Sequence, residues 1–253
     1  MKPLGIIRTL PNCRFSRLPL ALRLIVLALL ITIGCVSFHF DHQVATLLAV
    51  KKTHFCSALA LLLNHVGDWP CLAGLGFVVF LAALASRNQW LVRVLFAMLL
   101  ASIVAGVMVN GVRAFSGRSR PSTKVEDQFY GIVKDGKWLV TNNQYNSFPS
   151  AHTATAIAFM GVLLFASWRF GLAAIGFALA VAWARIYSGS HHFSDVTVSI
   201  VMGLITARWS WLLVRGNPVI VSRLLDWRDR AFDSLSRTGL ATFRRNLPVA
   251  PAE

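Results

Sequence analysis

Acidic side chains are scarce in this sequence, with 10 Asp and Glu against 25 Lys and Arg in 253 residues. Charged residues of either sign reach only 14%, where a soluble domain carries about 25%. The few charges gather at the ends and in a handful of loops, which excludes both an ordinary soluble domain and a disordered chain. Cysteine is also rare. Cys13, Cys35, Cys56 and Cys71 show no metal-ligand spacing, and Cys35 lies in an apolar run, so neither a zinc site nor a disulfide framework is encoded. Only Cys56 and Cys71 are candidates to pair, in an oxidising compartment. Internal repeats and low-complexity segments are missing.

Apolar residues are abundant instead: 56% of the chain, with a mean hydropathy of +0.61. They fall in long runs: Leu24–Phe40, Trp69–Ser86, Val94–Val112, Ala151–Trp168, Phe170–Ala184 and Val196–Val214, the last broken only by Arg208. Each approaches the roughly 20 residues that cross a bilayer core. The expected fold class is therefore an all-α polytopic membrane protein, a six-helix bundle. It comprises a basic cytoplasmic segment 1–23, a membrane domain 24–214 and a basic cytoplasmic tail 215–253. The segment 1–23 resembles a signal peptide, but no convincing small-residue cleavage site follows, so an uncleaved first span is expected. Thr53–Val66, at 14 residues, reads as an interfacial helix paired with Asp41–Lys52.

The net charge of +15 lies between the apolar runs. That is the signature of membrane loops, not of a nucleic-acid surface. Six spans place both termini on one side, which then holds 16 Lys and Arg against 9 opposite, so the termini are expected in the cytoplasm.

Three polar segments interrupt this pattern, and span parity puts all of them on the face opposite the termini. They are Arg113 to Pro121, Phe148 to His152, and Arg185 to Asp195. Arginines at 113, 120 and 185 offer permanently charged, forked donors that match phosphate oxygens. Ser150 is a suitable helix N-cap, leaving the Ala151 and His152 amides free to face an anion. His191 precedes Asp195 by four residues and His192 by three, so either imidazole can share a helix face with the carboxylate. His152 stands at the mouth of another helix. One oriented histidine can serve as nucleophile and another as acid. Arg118, Lys124, Lys134 and Lys137 read as snorkelling interfacial groups, and Trp138, Trp183 and Trp209 as interface anchors. His39, His42, His54 and His65 carry no partner pattern and read as structural.

Together these segments resemble the signature of the type-2 phosphatidic acid phosphatase superfamily of membrane lipid phosphatases. That signature is a Lys, six residues and Arg-Pro, then Pro-Ser-Gly-His, then Ser-Arg, five residues, His, three residues and Asp. Here it reads Arg113, six residues, Arg120-Pro121; Pro149-Ser150-Ala151-His152; and Ala184-Arg185, five residues, His191, three residues, Asp195. The resemblance implies His191 as the nucleophile that takes the phosphoryl group, with Asp195 holding its other ring nitrogen and His152 protonating the leaving oxygen. It implies a phosphate cradle of Arg113, Arg120, Arg185, Ser150 and the Ala151 amide. Arg113, Ala151 and Ala184 depart from the family's Lys, Gly and Ser.

The function expected is removal of phosphate from a lipid phosphate or pyrophosphate at the periplasmic face of a bacterial-type inner membrane. Undecaprenyl pyrophosphate, phosphatidylglycerol phosphate, phosphatidic acid and lipid A are the candidate lipids. No cofactor is expected, and no metal, because the sequence shows no carboxylate cluster for Mg²⁺. The expected partners are the lipid substrate and membrane lipids, not nucleic acid. A phosphotransferase passing the same phosphohistidine to a lipid acceptor is the alternative within the chemistry; a non-catalytic lipid-binding or transport protein is the alternative outside it. The 27-residue loop Ser122–Phe148 is expected to shape headgroup choice.

Overall fold

A computed structural model describes residues 19–50, 52–123 and 125–245. Most of segment 1–23, Cys13, Lys124 and the last eight residues lie outside the described residues. Among the described residues nine α-helices run in chain order: α1 (Leu20–His39), α2 (Asp41–Val50), α3 (His54–Val66), α4 (Trp69–Ala85), α5 (Gln89–Ser116), α6 (Ala151–Ala166), α7 (Trp168–Tyr187), α8 (Phe193–Gly216) and α9 (Pro218–Arg245). Between α5 and α6 a short hairpin pairs β1 (Val133–Lys134) with β2 (Lys137–Trp138), followed by a 3₁₀ turn at Asn143–Tyr145.

Among the described residues, α1, α5, α7 and α8 are each long and apolar enough to cross a bilayer. A fifth span is reached only if α3 and α4 count as one, bent by 54° between them. The expected six is therefore not what helix length alone supports. Helix α6 has 16 residues, because Pro149-Ser150 opens it and Ser167, in extended conformation, closes it. It is the centre of the bundle, packed on α5, α7 and α8. Ala154, Ala156 and Ala158 let those neighbours approach closely, as small residues do in membrane helices. Around this core the outer faces are greasy: Ile25, Val107, Phe170 and Leu212 are all exposed, a surface that suits lipid and not water.

Thr53–Val66 is not an isolated interfacial helix. Gly67 ends α3 against α7, where a Cβ would stand 2.5 Å from Val181. Asp68 then caps α4, accepting the Trp69 N–H at 2.8 Å, with Pro70 in the first turn. This pair of residues makes the bend and aims Asp68 at the end of the bundle where α6 begins. Cys56 and Cys71 remain free thiols. At the other end, Val221, Leu224 and Leu225 dock the start of α9 onto the bundle, and Asp229 pairs with Arg87 at 3.1 Å. Trp138 and Trp209 are exposed, whereas Trp183 stacks on Tyr187 against α3.

Candidate active site

The three polar segments do meet, at the mouth of α6. Helix α5 ends at Gly117, whose φ of 56° is left-handed and whose Cβ position lies 2.0 Å from the Gly131 carbonyl oxygen. Only glycine turns the chain there. Arg118 to Pro121 then run back across the bundle and are stitched to the other segments through the main chain. The Ser147 N–H donates to the Arg118 carbonyl at 3.1 Å, and the Ser122 N–H to the Gly189 carbonyl at 3.0 Å. Arg113, in the last turn of α5, donates its Nε–H to the Pro149 carbonyl at 2.9 Å.

His191 is buried. Its Nδ1 lies 2.7 Å from the Ser147 carbonyl oxygen. A carbonyl only accepts, so Nδ1 carries the proton and Nε2 carries the lone pair. Nε2 is buried with no hydrogen-bond partner among the described residues. Burial pushes the imidazole's pKa down to about 4; Asp195 opposes this, and Arg113 and Arg185 reinforce it. At neutral pH the ring is an uncharged base within the field of Arg113 and Arg185.

Asp195 sits beside this ring, but its Oδ2 is 3.7 Å from Nδ1, too long for a hydrogen bond. The carbonyl of Ser147 is what binds that nitrogen. The carboxylate is committed elsewhere: Oδ2 accepts the Ser147 hydroxyl at 2.5 Å and the His192 N–H at 2.8 Å, and Oδ1 accepts Arg118 at 2.6 Å. Arg118 is accordingly not a snorkelling group. It is 2% exposed, and it also pairs with Asp41 at 2.8 Å and with Asp127 at 3.0 Å. Burial works against its charge, but the bond to Asp127 and the Asp195 carboxylate outweigh burial and raise its pKa. Asp41, at the junction of α1 and α2, further accepts the Ser194 N–H and hydroxyl at the start of α8.

Sequence reasoning found no carboxylate cluster, yet Asp41, Asp127 and His192 gather with ligand atoms within 4.8 Å of one another. These residues are distant in sequence, which is why spacing did not show them. Arg118 bonds both carboxylates, so the cluster already contains its cation.

Arg120 and Arg185 each bury an Nε–H with no partner among the described residues, while Arg185 Nη1 donates to Asn64 at 3.1 Å. Burial lowers the Arg120 pKa, with Asp195 opposing. Arg113, Arg120 and Arg185 are close enough to repel one another. Unpaired buried donors that also repel are costly unless an anion joins them. Ser150 occupies the N-cap position of α6, but its side chain makes no capping bond, a correction to the expected role. It is fully buried; its Oγ accepts from Thr153 at 3.0 Å and its N–H donates to Ser199 at 2.8 Å. The Ala151 and His152 amides remain the first in the helix, without intrahelical acceptors.

His152 has an acidic partner that helical spacing did not predict: its Nε2 lies 3.0 Å from Asp68 Oδ1. Both residues head a groove of about 520 Å³ that runs down between α4, α5 and α6, with Arg113 beside them and Trp69, Ile103 and Val107 as its apolar walls. Of the other expected surface cations, Lys134 stacks over Tyr130 at 3.9 Å, while Lys137 is exposed.

A helical membrane fold with histidines and arginines gathered at one end of the bundle defines the class. The family model described as the PAP2 superfamily matches residues 90–218, about half the chain, and the chain belongs to that superfamily. A lipid A 1-phosphatase of Rhizobium johnstonii is 28% identical over 103 residues, 40% of either chain. The match thus spans well under half of that relative's length. Two solved structures share the fold at 18% identity. The Bacillus subtilis transmembrane PAP2-type phosphatidylglycerolphosphate phosphatase superposes with a TM-score of 0.56, covering 76% of this chain and 94% of its own. Aquifex aeolicus LpxE does so at 0.50, covering 68% and 94%.

Proposed function

We propose that the chain is a membrane lipid phosphatase that works through a phosphohistidine on His191. The observation that carries this reading is the buried Nε2 of His191, without a partner among the described residues, on a ring fixed by the Ser147 carbonyl and near enough to Arg113 and Arg185 to feel their charge. Nε2 attacks phosphorus and the bond to the leaving oxygen breaks, while His152 gives that oxygen a proton. Water then attacks the P–N bond, His152 takes its proton back, and phosphate leaves. The guanidiniums and the first amides of α6, Ala151 and His152, bind the phosphoryl oxygens as charge redistributes. Ser150 supports that turn through Thr153 and Ser199. Asp195 holds the loop beside His191 and supplies the negative charge that offsets the imidazolium formed on attack.

The groove beneath the site suits a lipid: charged at its head, apolar along its walls. The relative's name favours a lipid A 1-phosphate among the candidate lipids. The bundle would cross the membrane six times, counting α6 and treating α4 as the second span. The active site would then face the periplasm, with both termini and α9 in the cytoplasm.

The test is phosphate release by the purified protein from lipid A 1-phosphate, phosphatidylglycerol phosphate, phosphatidic acid and undecaprenyl pyrophosphate, with and without an acceptor lipid. Free phosphate is expected from lipid A 1-phosphate, and none from the His191→Ala protein. No release from any of the four lipids would refute the reading.

A further inference from the structure

His152, assigned as the acid, must hold two protons when it meets the leaving oxygen, and it must do so near Arg185, Arg113 and Arg120, with Asp68 as the neighbouring anion. Asp68 comes from a different part of the fold. It follows the Gly67 bend between α3 and α4, and its Oδ1 lies 3.0 Å from His152 Nε2 while accepting the Trp69 N–H at 2.8 Å. The bend is fixed from behind, because Gly67 is pressed onto Val181 of α7 and leaves no room for a side chain. Asp68 is therefore held by a helix cap on one side and a glycine contact on the other. The groove has Asp68, His152 and Arg113 together at its head, which puts the pair beside one arginine of the proposed phosphate cradle.

We infer that Asp68 is a positioning residue for the leaving-group step: it anchors one N–H of the His152 imidazolium and leaves the other to protonate the departing oxygen. This rests on the phosphatase reading above and assigns its acid a partner. The proton balance is simple. His152 enters with two ring protons, passes one to the ester oxygen as the P–O bond breaks, and stays neutral with its remaining N–H on Asp68. Water returns the missing proton during dephosphorylation. Asp68 is half-exposed, so its field is partly screened, and the effect is smaller than that of removing His152 itself.

Asp68→Asn separates this role from a structural one. Asparagine caps helices as well as aspartate, so α4 keeps its start while the countercharge is lost. Turnover would be measured on phosphatidic acid, whose alkoxide needs a proton, and on an aryl phosphate that leaves without one. The expected result is a loss of about tenfold to a hundredfold in kcat on phosphatidic acid, with the aryl phosphate within about twofold of wild type. His152→Ala should show the same split more strongly, and adding Asp68→Asn to it should cost nothing further. Equal loss on both substrates would mean that Asp68 only shapes the fold, and no loss on phosphatidic acid would mean it has no role; either overturns the inference. Full aryl and lipid turnover in His152→Ala would instead remove the acid from His152, and the inference with it. A wild-type protein that releases phosphate from none of the four lipids named above would strike at the phosphatase reading itself.

Discussion

Arg118 donates to Asp195 across 77 residues of sequence, its Nη1 2.6 Å from Oδ1, and neither side chain is exposed to any useful extent. This pair ties the segment after α5 to the first turn of α8. Through Asp41 it also ties both to the junction of α1 and α2. The carboxylate next to His191 is thus set in place by a guanidinium before it influences the imidazole.

Removing Arg118 leaves Asp41 and Asp195 buried without their cation. Breaking one partner of a buried ion pair typically costs roughly 3–5 kcal/mol. Arg118→Met should therefore lower the thermal midpoint of the detergent-purified protein well beyond any effect of Arg120→Met, whose Nε has no protein partner to lose. Arg118→Lys should recover only part of the difference, since one ammonium cannot serve three carboxylates from a planar fork. Thermal unfolding of the three proteins measures this; equal midpoints for Arg118→Met and Arg120→Met would mean that the network does not hold the fold together.

The contrast between these two arginines also explains what the sequence could show. Arg113, Arg120, His152, Arg185, His191 and Asp195 were legible because their spacing is fixed by two local devices, a helix end and a short loop, and because span parity puts the three segments on one face. Arg118 sits among them at no fixed spacing from its partners. Asp41 and Asp127 reach it only through the packing of α1, α2 and the loop before β1. Asp68 stands just before the apolar run Trp69–Ser86, but its meeting with His152 depends on the 54° bend that Gly67 makes against Val181, which no periodicity encodes. The run Phe170–Ala184, 15 residues between Arg169 and Arg185, is a span as expected but a longer one: α7 extends over both arginines, and Arg185 is buried and bonded to Asn64 instead of facing lipid.

The state of His191 can be read directly. With its pKa held at about 4, the ring is neutral above that value, and the nucleophilic form is lost only as pH falls through about 4, not near the ordinary 6.5. Nitrogen NMR of histidine-labelled protein, with His191→Ala to assign the signal, should show an Nδ1-protonated neutral ring unchanged from pH 8 to pH 5.5. A His191 signal that titrates near 6.5, or that carries its proton on Nε2, would contradict the bond to the Ser147 carbonyl and the nucleophile drawn from it.

The three cradle arginines should not respond alike to lysine. Arg113 already spends its Nε–H on the Pro149 carbonyl, so a phosphate meets only what remains of its fork, and the family's usual residue at this position is a lysine. Arg113→Lys should keep the charge at the site and lose little else. Arg120 and Arg185 keep Nε–H groups buried and unpaired, and a point charge on a flexible stem cannot present the same two parallel donors. Loss of one preorganised donor to a phosphoryl group in its transition state is worth on the order of 3 kcal/mol, about a hundredfold in rate. Arg120→Lys and Arg185→Lys should therefore each lower kcat/KM by about that factor, and should weaken inhibition by vanadate, which mimics the five-coordinate phosphorus. Arg113→Lys should stay within a few-fold of wild type in both measurements. Equal losses at all three positions would mean that Arg113 contributes a full fork to the phosphate. The Pro149 bond would then have to break when substrate binds, and the proposed cradle would not be preformed at the mouth of α6.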